Sequence, residues 1–137
     1  MITKKLLDEI TYEIIGCAIE VHKVLGPGLL ESIYKKCLVK ELLLKDLGTV
    51  SQLKVPINYK GLELEADLRL DILVENLIIV EVKAVEKINP LYEAQVLSYM
   101  RLLEKPKGII INFCCRNIFK EGQKTFVNDL YSLLPNG

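Results

Sequence analysis

From Thr3 to Leu25, apolar side chains return every three or four residues: Leu6, Leu7, Ile10, Ile14, Ile15, Cys17, Ala18, Val21 and Leu25. That spacing predicts an amphipathic helix, capped by Thr3 and stopped by Gly26-Pro27-Gly28. A second helix is predicted over about 29–46, on Leu30, Ile33, Tyr34, Cys37, Leu38, Leu42 and Leu43, with Gly48 as its terminator. The period then changes. Residues 49–59 read as extended, with Pro56 marking an edge or bulge, and Lys60-Gly61 reads as a turn. Over 62–74 the chain alternates, with Leu62, Leu64, Ala66, Leu68, Leu70 and Ile72 on one face. Glu63, Glu65, Asp67, Arg69 and Asp71 take the other. Glu75-Asn76 turns into a strand at 77–84. Pro90 opens a third helix, about 90–104, and Lys107 to Phe113 reads as a buried strand. The tail is expected to add a short strand near 117–121 and a helix near 125–134.

The resulting order is ααβββαβ with a short C-terminal tail. It predicts an α/β sandwich around a central mixed sheet, with the first three strands as a meander. The strand after the third helix joins in parallel by a crossover connection. With 137 residues and no linker, repeat or low-complexity stretch, residues 1–137 are expected to form one domain.

Eighteen basic and 18 acidic residues cancel, which argues against a protein that coats nucleic acid by bulk charge. A local basic groove is still compatible with that balance. The lysines at 4, 5, 23, 35, 36, 40 and 45 crowd the N-terminal third and could supply one, although solvated helix faces are the simpler account of them. The start MITKKLLDEI lacks the apolar core of a signal peptide, and no apolar run is long enough to span a membrane. The expected location is cytoplasmic. The four cysteines contain no C-x-x-C pair and are expected to pack as small hydrophobes.

Three groups of residues carry candidate chemistry. In DILVENLIIVEVK, Asp71 precedes Glu81 and Lys83. On a strand Glu81 and Lys83 share a face while Val82 points away. A carboxylate in so apolar a run is costly unless it has a partner. If Asp71 lies on the neighbouring strand, two acids and an ammonium meet, a set suited to a hard cation and a positioned water. In the third helix Gln95 and Tyr99 are four residues apart and share a face. In GLLESIY, Glu31 and Tyr34 share a face of the second helix, where a first-turn carboxylate also complements the helix dipole. His22 is the sole histidine, so a zinc hydrolase is not expected.

Gly28-x-x-Glu31-x-x-Tyr34, DILVENLIIVEVKAVE and EAQVLSY, in that order, resemble the signature of the bacterial and archaeal GxxExxY proteins over about residues 5–120. That family is placed in the PD-(D/E)xK nuclease superfamily. The resemblance implies a restriction-endonuclease-like α/β/α sandwich and residue roles to go with it. Asp71 and Glu81 would be the metal-binding acids, with Leu70 standing where some members have proline. Lys83 would be the lysine of the E-x-K. Gln95 and Tyr99 resemble the Q-x-x-x-Y motif of the RecB-like branch, and Glu31 the extra helical acid of some branches.

The expected activity is phosphodiester hydrolysis with Mg²⁺ or Mn²⁺ held by Asp71, Glu81 and the Val82 carbonyl, with Glu31 beside a second metal or water. Lys83 assists the attacking water, and Gln95, Tyr99, Tyr34 and His22 position substrate. The expected partner is nucleic acid, DNA ahead of RNA, and a homodimer suits an enzyme that cuts two strands. Two other classes fit the same chain: a non-catalytic nucleic-acid-binding or protein-interaction module, and a structural subunit of an assembly.

Overall fold

Thr3 caps the first helix as its spacing predicts: its Oγ1 accepts a hydrogen bond from Leu6 N–H at 3.0 Å. The computed structural model describes residues 1–64 and 68–137. Helix α1 runs over Lys4–Leu25 and ends at Gly26, whose φ of 69° lies in the left-handed region. Helix α2 spans Glu31–Leu44. Strand β1 covers Thr49–Lys54, and β2 (Ile57–Tyr59) and β3 (Leu62–Leu64) form a separate two-stranded hairpin. Then come β4 (Arg69–Val74), β5 (Ile78–Lys83), α3 (Pro90–Leu102) and β6 (Lys107–Asn112). A π-helical turn (Ile118–Gly122), β7 (Gln123–Val127) and the short α4 (Asp129–Ser132) complete the chain.

The main sheet has the order β1-β4-β5-β6-β7. It is mixed: β5 and β6 are parallel, joined through α3, and the other pairs are antiparallel. Alternation along β5 sends Ile78, Val80 and Val82 toward α1 and α2, where they meet Leu7, Ile14, Tyr34 and Leu38. Ile79 points to the opposite layer and packs with Val96, Tyr99 and Met100 of α3. Helices therefore cover both faces, as in a restriction-endonuclease-like sandwich. Glu81 and Lys83 share the parity of Ile79, so both lie on the α3 side.

Two expectations change. The extended stretches 49–59 and 62–74 are each broken. Val55 is buried, its N–H bonded to Leu68 O, while Pro56 has no N–H with which to continue the ladder. The chain then leaves the main sheet for the β2–β3 hairpin, whose Tyr59, Leu62 and Leu64 are exposed. Ala66, Glu65 and Asp67 of the alternating pattern lie outside the described residues. In the tail, the stretch read as a strand near 117–121 is the π-helical turn, capped by Asn117, whose side chain accepts from Lys120 N–H. Strand β7 falls instead on Gln123–Val127, running into the start of the stretch read as helix, because its residues pair with β6 from Lys107↔Val127 to Ile111↔Gln123; the helix itself shortens to Asp129–Ser132.

Candidate active site

The β4/β5 ladder stops one residue short of the acids. Its last pair is Ile72↔Val80, so continued register would set Asp71 opposite Glu81. There the strands part, and side chains take over the backbone bonding. Asp71 N–H donates to Glu81 Oε2 at 2.7 Å, and Val82 N–H donates to Asp71 Oδ2 at 2.8 Å. On the other flank, β1 pairs with β4 through Ser51↔Ile72 and Leu53↔Leu70 but not at Gln52, whose φ is 55°. Asp71 thus sits at a gap in the ladder on both sides. The two carboxylates satisfy amides that would otherwise be buried without acceptors, which costs on the order of 1–3 kcal/mol each.

A third group closes this fork. Lys35 Nζ, from α2, stands 2.8 Å from Asp71 Oδ1. Asp71 is 8% exposed and Glu81 4%. Burial, reinforced by the charge of Asp71, pushes the Glu81 carboxyl up to about 8; its bond from the Asp71 amide and the charge of Lys83 pull the other way without cancelling this. Burial also raises the Tyr99 phenol, with help from the charges of Glu81 and Asp71, so the ring of α3 lies in the field of the acids. Burial by itself lowers the Lys35 ammonium, but its bond to Asp71 and the charges of Asp71, Glu31 and Glu81 outweigh that and raise it.

This donor set fits a hard divalent cation: two hard oxygen donors, buried together, whose repulsion is only partly relieved by one ammonium. Asp71 and Glu81 would hold such an ion. Among the described residues no group of three or more His, Cys, Asp or Glu side chains is arranged to do so, which leaves Glu31 as a charge acting on Lys35 one helical turn away.

The remaining predicted residues divide. Lys83 is half-buried on β5, with its Nζ 4.3 Å from the centroid of the Tyr92 ring, a cation–π contact. Gln95 is half-buried on α3, one turn before Tyr99. Tyr34 is fully buried, and its hydroxyl donates to Gly26 O and accepts from Leu29 N–H. That hydroxyl pins the loop between α1 and α2. His22 Nε2 lies 2.8 Å from the Cys115 carbonyl oxygen and bonds to neither acid. Lys35 and Tyr92 are the residues that sequence reasoning missed. The signal for Lys35 was its place four residues after Glu31, but Lys36 and Lys40 beside it read as one solvated face.

A family model described as the PD-(D/E)XK nuclease superfamily matches residues 8–126. No curated protein and no solved structure shows a significant match to the chain.

Proposed function

Starting from the fact that the chain belongs to the PD-(D/E)XK nuclease superfamily, we propose that it is a divalent-metal-dependent nuclease of the GxxExxY branch. The observation that carries this reading is the buried Asp71/Glu81 pair at the β4/β5 fork, with Lys83 two residues on along the same strand face. The Gly28-x-x-Glu31-x-x-Tyr34 segment at the start of α2 supports the branch.

Asp71, Glu81 and the Val82 carbonyl would hold the cation, Mg²⁺ or Mn²⁺. When bound, the cation acidifies water and stabilises charge developing on the phosphate. Lys83 leaves the Tyr92 ring and donates to the attacking water or to a phosphate oxygen, where a point charge on a flexible stem is useful. Tyr99 and Gln95 contact the substrate from α3. The substrate is nucleic acid, and DNA is the first class to test.

A second reading has one specific observation in its favour. Lys83 rests on Tyr92 and forms no ion pair with Asp71 or Glu81 among the described residues, as a non-catalytic nucleic-acid-binding module would tolerate. Labelled single- and double-stranded DNA and RNA, incubated with Mg²⁺, Mn²⁺ or EDTA, separate the two. Metal-dependent cleavage that is lost in Glu81→Ala and falls about 10²-fold or more in Lys83→Ala, with Mn²⁺ binding retained in the lysine variant, supports the nuclease. Binding without cleavage by folded, Mn²⁺-loaded protein supports the module.

A further inference from the structure

Asp71 has both carboxylate oxygens engaged. Oδ2 accepts from Val82 N–H, and Oδ1 faces Lys35 Nζ. Lys35 belongs to neither β4 nor β5. It reaches the fork from α2, and a quarter of its side chain is exposed. That exposed part borders a cavity of about 380 Å³ lined by Ser32, Lys35, Lys36, Ser51 and Gln52 beside Asp71. The cavity lies between α2 and β1, where Gln52 has left the ladder. Its polar side chains are two lysines, two serines and a glutamine, and its one acid is the carboxylate that Lys35 already neutralises. Most of the exposed lining is nonetheless apolar, with Val39 and Ile72 contributing, and only the excess of two ammonium groups over one carboxylate favours an anion over a cation.

We propose that Lys35 is the resident counter-cation of the acidic fork and becomes a phosphate contact when the metal enters. The inference rests on the reading that Asp71 is a metal ligand. The carboxylate of Asp71, buried at the fork beside Glu81, needs a positive charge nearby, and Lys35 supplies it in the metal-free protein. A divalent ion brings twice that charge and takes over Asp71. The ammonium is then repelled from the fork. Its four-carbon stem lets it turn into the adjoining cavity, where the phosphodiester next to the bond being cut gives it a new partner. Loading of metal and gripping of the nucleic acid are thereby coupled through one side chain.

The test is calorimetry with Mn²⁺ on the intact chain, its Lys35→Met and Lys35→Arg variants, and Asp71→Asn. Alongside it, binding of fluorescein-labelled DNA and RNA is measured in Mn²⁺ at several KCl concentrations, in a Lys83→Ala background that slows cleavage, with intact substrate checked on a gel after each titration. Lys35→Met is expected to bind Mn²⁺ about tenfold more tightly, since a unit charge beside the ion has gone. Its log–log salt dependence of nucleic-acid binding is expected to fall by about one, with Lys35→Arg restoring it. Lys35→Met is also expected to gain more thermal stability from Mn²⁺ than the parent, because it starts with an uncompensated carboxylate. The same melting transition reports folding, and Lys35→Gln replaces the methionine variant should that one not fold. Unchanged Mn²⁺ affinity in Lys35→Met, with weakened affinity in Asp71→Asn, overturns the counter-cation role and leaves the metal reading standing. Equal Mn²⁺ affinity in Asp71→Asn and the parent removes the metal reading, and the proposal with it. Tighter Mn²⁺ binding with an unaltered salt slope overturns the transfer to phosphate.

Discussion

Glu81 shows how much a single carboxylate is made to bear at the fork. Its ordinary value of 4.5 is moved to about 8 by burial and by the charge of Asp71. Between those values the folded, metal-free protein holds a proton that the unfolded chain has released. Metal-free stability should therefore fall as pH rises through that window. Glu81→Gln keeps an oxygen to accept the Asp71 amide and removes the titration. In EDTA, denaturation midpoints of this variant should stay level from pH 5 to pH 8 while those of the parent decline, and the variant should be the more stable at the alkaline end. Parallel profiles would show that Glu81 does not govern the slope. The same variant should be inactive, so the residue that costs stability is the one the proposed chemistry needs. At this scale the sequence was informative about Asp71, Glu81 and Lys83 because their types and spacing are strand-local. It was uninformative about Lys35, whose partner Asp71 lies far along the chain on another element.

Two elements hold the site from either side. On the α2 side, Tyr34 ties its hydroxyl to Gly26 and Leu29 and stacks its ring on Phe113 at 4.4 Å between centroids. Tyr34→Phe keeps the stack and leaves the Leu29 N–H and Gly26 carbonyl without this partner. A loss of about 1–2 kcal/mol is expected by chemical denaturation, with cleavage reduced because the start of α2 carries Glu31 and Lys35. Unaltered stability would remove the hydroxyl from the loop's support. On the α3 side, Gly108 allows the helix to approach β6. A Cβ there would stand 2.6 Å from Val96 Cγ1 and 2.9 Å from Met100 Sδ. Gly108→Ala should cost about 1–3 kcal/mol through overpacking and shift Tyr99 away from the acids, so kcat should fall with the melting temperature. Full activity in a destabilised variant would separate the packing of α3 from the chemistry. Helices α1, α2 and α3 were legible from periodicity, because each buries one stripe. The strands at 49–59 and 62–74 were legible as extended chain but not as two sheets, since the departure at Pro56 depends on what covers each face.

Across the whole molecule, the chain's ends are tied to the sheet by one buried cation. Lys107 of β6 is 4% exposed, and its Nζ meets Asp8 Oδ1 of α1 at 2.8 Å. The Tyr131 hydroxyl of α4 donates to the same oxygen at 3.0 Å. The Lys107 hydrogen bond holds the Asp8 carboxyl below its ordinary 3.8 against the opposing effect of burial, with Tyr131 assisting. A carboxyl depressed in the folded state contributes stability above its unfolded value and loses it as pH falls through the folded one. Asp8→Asn leaves the Lys107 ammonium without its counter-ion. Because Asp8 is itself more than half exposed, the expected loss near neutrality is about 1–2 kcal/mol. The gap between variant and parent should close as pH drops below 3.8. A gap independent of pH would assign the effect to packing. Among the described residues no helix is long and apolar enough to cross a membrane.

By itself the sequence determined the class of fold, the helices and the type of candidate chemistry. These follow from periodicity and from which charges interrupt an apolar run, and both are properties of neighbouring residues. Tertiary structure alone decided that the ladder opens between Asp71 and Glu81, that Lys35 neutralises the first acid, and that Lys83 lies on Tyr92. It also decided that Tyr34 and His22 spend their polar atoms on backbone. The physical reason is that hydrogen bonds and charge–charge energies depend on distance and burial. Residues far apart along the chain acquire both only when the sheet and its two helical layers close around them.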